Sequence, residues 1–128
     1  MNLDQMKERC SNSSFIKRVI LKDYRFVYDG HSKNRAGPVG NIVPSRKRTV
    51  YGGLFEINKD DLASLKGYEK NYRKTGVNLE DDEGITYKAV VYLRDKQKKG
   101  KPNELYRKIV IKGAKDCRIP SEYIMKNL

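Results

Sequence analysis

The chain has 128 residues, with 28 Lys and Arg against 16 Asp and Glu, a net charge of +12. That length fits one domain, and no apolar run approaches the ~18 residues of a membrane-spanning helix. The two cysteines, Cys10 and Cys117, form neither a disulfide framework nor a metal-ligand spacing, which predicts a reducing cytoplasmic setting.

From the amino end, Leu3, Met6 and Cys10 make one apolar stripe and predict a helix over Asn2 to Arg9. β-Branched and aromatic residues predict strands over Phe15 to Leu21 and Tyr24 to Tyr28, joined near Lys22-Asp23. Gly30, Asn34, Gly37 and Pro38 mark His31 to Pro38 as loop. A short strand over Val39 to Val43, a turn over Pro44 to Arg48 and a strand over Thr49 to Ile57 are expected next. Gly52-Gly53 inside that last strand is unusual, since interior glycine weakens a strand and marks a bulge or a close approach by another group.

Asn58 is the expected cap of the following helix, with Asp60 and Asp61 in the first turn and Leu62 and Leu65 on its buried face. Gly67 weakens the end of this helix, and Glu69 puts negative charge where the helix dipole disfavours it. Two local rules broken so close together point to a functional position. Val77 to Leu79 and Ile85 to Leu93 predict a hairpin around Asp81-Asp82-Glu83-Gly84, followed by a polar loop over Arg94 to Asn103. Fourfold spacing of Leu105, Ile109 and Gly113, and of Tyr106, Val110 and Ala114, predicts a helix over Glu104 to Lys115. Ile119-Pro120-Ser121 opens a last short helix through Met125, and the whole order is that of an α+β domain.

The inventory narrows the chemistry. His31 is the sole histidine and sits in a loop without apolar neighbours, so a solvated side chain is expected rather than a catalytic triad member. No set of ligands has zinc spacing, and no glycine-rich loop opens a helix to cradle phosphate. The cations are dispersed over Lys17-Arg18, Arg46-Lys47-Arg48, Lys96 to Lys101, Lys112, Lys115 and Arg118. No basic helix stripe or aromatic platform gathers them, which weighs against nucleic-acid binding and leaves a basic binding module as the non-enzymatic alternative. Carboxylates and tyrosines remain to carry catalysis.

Several stretches, in order, resemble the γ-glutamylcyclotransferase (AIG2-like) family. Val50-Tyr51-Gly52-Gly53-Leu54-Phe55-Glu56-Ile57 is similar to its glycine-containing strand, and Asp61 to Glu69 to the helix ending in its catalytic glutamate. Tyr72 with Lys74, then Val77 and Leu79, are similar to the strand that follows. Tyr106, Gly113-Ala114, Ile119-Pro120 and Tyr123 are similar to the carboxy-terminal helices. Lys70 stands where many members have glycine, and Lys74 where the family has arginine, keeping charge but losing the planar fork. The family's opening strand and Tyr-Gly-Ser-Asn loop have no counterpart before Met1, which is read as an amino-terminal shortening of the single domain 1–128 that puts activity of the chain in doubt.

The resemblance implies a small mixed β-barrel flanked by helices. It implies an enzyme, classed as a transferase or lyase, that closes γ-glutamyl compounds to 5-oxoproline and releases an amine or amino acid, as in glutathione metabolism. A γ-glutamylamine cyclotransferase is the near alternative. It implies Glu69 as general acid and base, with Met1, Asn2, Tyr72 and Tyr106 on the substrate side. A small-molecule γ-glutamyl compound is the implied partner, and no metal or cofactor is called for.

Overall fold

The computed structural model describes residues 13–68 and 72–128. The helix expected over Asn2 to Arg9, the positions Met1 and Asn2, and Glu69 lie outside the described residues. The described elements are β1 (Ser14–Ser32), β2 (Gly37–Glu56), α1 (Lys59–Tyr68), β3 (Arg73–Glu80), β4 (Thr86–Leu93), α2 (Glu104–Asp116) and α3 (Ser121–Asn127). The α+β class holds. The strands form one sheet in the order β2-β1-β3-β4, with every described ladder antiparallel.

Two expected boundaries give way. The strands predicted to break near Lys22-Asp23 are one strand, and the turn over Pro44 to Arg48 lies inside β2. The reason is a bulge. The register jumps from Lys22 opposite Thr49 to Tyr24 opposite Pro44, so the extra residues bow out without ending the ladder. Asp23 and Lys47 take the left-handed conformation, φ 66° and 65°, and the Lys47 N–H donates to Asp23 Oδ1 at 3.1 Å. The short strand expected at Val77 to Leu79 also extends over Arg73–Glu80, because β4 pairs with it along its whole length.

Helix boundaries follow the sequence closely. Asn58 Oδ1 accepts from the Asp61 N–H at 2.8 Å and caps α1 as expected. Asn103 Oδ1 accepts from the Leu105 N–H at 2.9 Å at the start of α2. The end of α2 is closed by Ile119 N–H to Ala114 O at 3.0 Å and Arg118 N–H to Lys115 O at 3.0 Å. That is the bonding of a Schellman stop, with Arg118 at φ 60° where glycine is usual. The stop turns Ile119 back onto the core and launches α3.

Strand alternation sorts the sheet into two faces. One carries Phe15, Phe26, Tyr51 and Phe55 against Val110, Ala114, Cys117, Ile124 and their neighbours on α2 and α3. The other buries Val19, Leu21, Val27, Asp29, Asn41 and Val43. Gly53 lies on the first face against Cys117, the residue that caps α2. A Cβ there would stand 2.6 Å from Cys117 Sγ and 3.0 Å from Phe55 Cε1. The glycine pair therefore marks a close approach, while the β1–β2 register irregularities fall elsewhere.

Two links pull the sheet toward a barrel. At one seam, Lys17–Asp81, Arg18–Asp82 and Lys22–Glu80 join β1 to the β3–β4 turn and the strand leading into it. At the other, the Asn41 carboxamide of β2 acts like a peptide group. Its Nδ2 donates to Arg94 O at 2.9 Å, and its Oδ1 accepts from Arg94 N–H at 3.2 Å, just past the end of β4. The two outer strands are thus joined by a side chain.

Asp81 organises the β3–β4 turn. Its Oδ1 accepts from the N–H groups of Glu83 and Ile85, and its Oδ2 from Tyr87 and Lys17. Burial alone would raise its pKa, but the Ile85 and Glu83 N–H groups, Lys17 and Tyr87 outweigh it and hold the carboxyl down from 3.8 to about 2. A depressed pKa stabilises the fold above the unfolded value, so that stability is lost as pH falls from about 4 toward 2. Denaturant midpoints measured across that window are expected to drop more steeply for the native chain than for Asp81→Asn; parallel curves would contradict this. Gly53→Ala is expected to cost ~1–3 kcal/mol in urea unfolding by overpacking against Cys117, and an unchanged midpoint would show that the two elements part freely.

Candidate active site

Two tyrosines that the sequence assigns to the substrate side come from distant elements. Tyr72 stands just before β3, and Tyr106 lies in the first turns of α2. Both reach the same residue of β2. The Tyr72 hydroxyl donates to Gly40 O at 2.9 Å, and the Gly40 N–H donates to the Tyr106 hydroxyl oxygen at 2.8 Å. Tyr106 accepts in this bond, so its own hydroxyl hydrogen is directed away from Gly40. A side chain at this position would crowd both neighbours: a Cβ would meet the Phe26 ring at 3.0 Å and Tyr106 Oη at 3.3 Å.

Two arginines flank the pair. Arg94 lies with its guanidinium 5.2 Å from the centre of the Tyr72 ring, and Arg35 with its guanidinium 5.2 Å from that of Tyr106. Arg94 is buried, not part of an exposed polar loop as its composition predicts. It pairs with Asp29 at 2.6 Å, and its Nη2 donates to Asp29 O at 2.9 Å and Val39 O at 3.2 Å. Asp29 Oδ2 accepts from the Gln97 N–H at 3.0 Å. The Val39-Gly40-Asn41 stretch of β2 is therefore held by side chains from three other parts of the chain.

Tyr28 completes the packing behind Tyr106, with ring centres 6.2 Å apart in an edge-on arrangement. Burial, then the neighbouring Tyr106, push the Tyr28 phenol up to about 12, so it stays a donor and reaches Leu128 O at 3.3 Å. The Arg107 Nε–H donates to the same oxygen at 2.7 Å. These contacts fix the α2 face that carries Tyr106.

Tyr72 and Tyr106 are thus brought together, while Met1, Asn2 and Glu69 lie outside the described residues. Lys74 is an exposed residue of β3 opposite Tyr92. His31 is exposed, as expected. Sequence reasoning missed Gly40, Asp29, Asn41, Arg94 and Arg35. The one usable signal was an aspartate next to a predicted strand, where aspartate is disfavoured.

A separate cleft of about 290 Å³ lies between Phe15–Arg18, the Asp81–Glu83 turn and Arg118. None of the expected site residues lines it. Lys17 and Arg18 are committed there to Asp81 and Asp82, so it is an ion-paired seam rather than a site poised for chemistry.

The AIG2-like family matches residues 49–127, which contain Glu69, Tyr72, Arg94 and Tyr106. Human γ-glutamylcyclotransferase is 27% identical over 126 residues, covering 90% of this chain and 65% of that protein, so the chain spans about two-thirds of its relative's length. An uncharacterized human protein of known structure is 25% identical with a TM-score of 0.89, over 96% of this chain and 78% of the other. A solved γ-glutamyl cyclotransferase, 24% identical, shares the fold with a TM-score of 0.90 over 96% of this chain and 78% of its own.

Shared anchorage of both tyrosines on Gly40 has a measurable consequence. Tyr72→Phe and Tyr106→Phe are each expected to cost about 1 kcal/mol in chemical denaturation. Their double variant is expected to depart from additivity by ~0.5 kcal/mol or more, as for groups sharing a partner. Strict additivity would show that the two hydroxyls act independently.

Proposed function

The chain belongs to the AIG2-like family, and from that premise we propose that it is a γ-glutamylcyclotransferase-like enzyme. Its substrate is a small γ-glutamyl compound. The α-amino nitrogen attacks the γ-carbonyl carbon, a C–N bond forms to close a five-membered lactam, and the original γ-amide C–N bond breaks. The products are 5-oxoproline and a free amine or amino acid.

One carboxylate suffices for the proton traffic. Glu69 takes the proton lost by the attacking nitrogen and returns it to the departing one, so the residue ends as it began. Nucleophile and electrophile belong to one molecule, and a pocket that holds the substrate folded therefore supplies much of the rate. Tyr72 and Tyr106, with Met1 and Asn2, are assigned to holding it so.

The observation that carries the reading is the convergence on Gly40. Tyr72 and Tyr106 belong to separate stretches of the family pattern, more than thirty residues apart, and their hydroxyls bond one residue of β2. Glu69 stands three residues before Tyr72 in sequence. A surface-only role for the tyrosines would give no reason for them to meet.

The test is release of 5-oxoproline from a panel of γ-glutamyl amino acids and γ-glutamylamines by the chain and by Glu69→Gln. The substitution keeps size and removes the proton shuttle, so turnover is expected to fall roughly 10²-fold or more. Equal turnover by both proteins would remove Glu69 from the mechanism. Salt-sensitive binding of nucleic acid with no turnover would instead favour a basic binding module.

A further inference from the structure

The fold brings near one another two cation-bearing stretches that lie far apart in the sequence. The segment after β4 docks on the ends of β1 and β2: Gly30 N–H donates to Lys98 O at 3.0 Å, Gly100 N–H donates to Tyr28 O at 3.2 Å, and the backbones of Asp29 and Lys99 form an isolated antiparallel β-bridge. Gly100 packs on Pro38, where a Cβ would stand 2.7 Å from Pro38 Cγ. The segments adjoining these contacts, 31–37 and 96–101, hold six Lys or Arg residues and no Asp or Glu. Of the acids that flank these segments in the chain, Asp29 is paired with Arg94 and Asp95 with Arg73.

Arg35 is the member of this rim that touches the candidate site. Its guanidinium rests on the Tyr106 ring, and no described carboxylate forms an ion pair with it. Stacking uses the flat face of a guanidinium and leaves the N–H groups around its edge able to grip a carboxylate as a two-pronged fork. An arginine held this way by an aromatic ring has lost part of its side-chain freedom before a ligand arrives. The lysines of segment 96–101 add longer-range attraction that fades over a Debye length of roughly 8 Å at physiological salt.

We propose that Arg35 is a specificity-determining residue of this site, receiving a carboxylate on the part of the substrate that leaves. Resting on the cyclotransferase reading, this assigns the chain to γ-glutamyl compounds whose released amine is itself an acid, and ranks uncharged γ-glutamylamines below them. The γ-glutamyl moiety is common to both classes, so discrimination must come from the departing half.

γ-Glutamyl-alanine and its carboxy-terminal amide differ only in that group. The ratio of their kcat/KM values, measured at low salt for the full chain and for Arg35→Gln and Arg35→Lys, reads the proposal directly. The native chain is expected to favour the acid roughly tenfold, as a charge-assisted hydrogen bond would give. Arg35→Gln is expected to bring the ratio close to one, and Arg35→Lys to leave it in between.

If Arg35→Gln slows both substrates equally and keeps the native ratio, Arg35 only supports Tyr106 and the proposal is overturned. Turnover by the native chain with no preference overturns it too, while leaving the cyclotransferase reading intact. If neither compound yields 5-oxoproline, the cyclotransferase reading fails. Calorimetric titration with the same two compounds then decides the role of Arg35: tighter binding of the acid, lost in Arg35→Gln, upholds it, and equal affinities overturn it.

Discussion

The buried ion pair between Asp29 and Arg94 sets how the ends of β1, β2 and β4 meet. Both side chains are almost wholly withdrawn from water. Desolvating such a pair costs several kcal/mol per ion, and the mutual attraction offsets this only when the remaining donors and acceptors are also satisfied. Here they are. The guanidinium also serves the backbone oxygens of Asp29 and Val39, and the carboxylate accepts from Gln97. Each of those bonds reaches a different strand or loop, so the pair selects one arrangement of the strand ends among many that apolar burial would tolerate.

The candidate site inherits its geometry from that junction. Asn41 and Arg94 tie the outer strands together through a carboxamide that imitates a ladder peptide. Gly40, one residue away, then presents its N–H and C=O to Tyr106 and Tyr72. Tyr72 is pressed from one side by Arg94, while Tyr106 sits on Tyr28 and so on the carboxy-terminal end of the chain. Moving any one of these groups shifts a bonded neighbour, which is how a small domain holds two phenols in register without a metal or disulfide among the described residues.

Local pattern told most of the helices and little of the junction. The fourfold spacing that predicts Glu104 to Lys115 falls within one residue of α2, because burial of one face is a local periodic property. Asn58 is legible as a cap for the same reason: its hydrogen bond closes within three residues. Asp29 and Arg94 lie just past the predicted strand ends Tyr28 and Leu93, where apolar alternation stops and charge reads as loop. Their partnership spans 65 residues, and no window along the chain can register it. The break predicted at Lys22-Asp23 fails through a related blindness. Asp and Lys in the left-handed conformation support a bulge as readily as a turn, and the partner strand decides which. Tyr72 and Tyr106 were legible only through family resemblance; Gly40, which joins them, carried no pattern of its own.

The two arginines on the two tyrosines show why position outranks net charge. Each guanidinium stands 5.2 Å from a phenol ring, yet their fields differ. Arg94 is balanced by Asp29 in contact, so from a few ångströms away the pair is close to neutral, and its work is to hold backbone. Arg35 forms no ion pair with a described carboxylate, so its charge is not balanced in contact. The Tyr106 ring therefore carries an unpaired guanidinium where the Tyr72 ring carries a paired one. The +12 of the whole chain would predict an indiscriminate appetite for anions. Burying one arginine in a closed pair and stacking the other at the rim turns that charge into a direction.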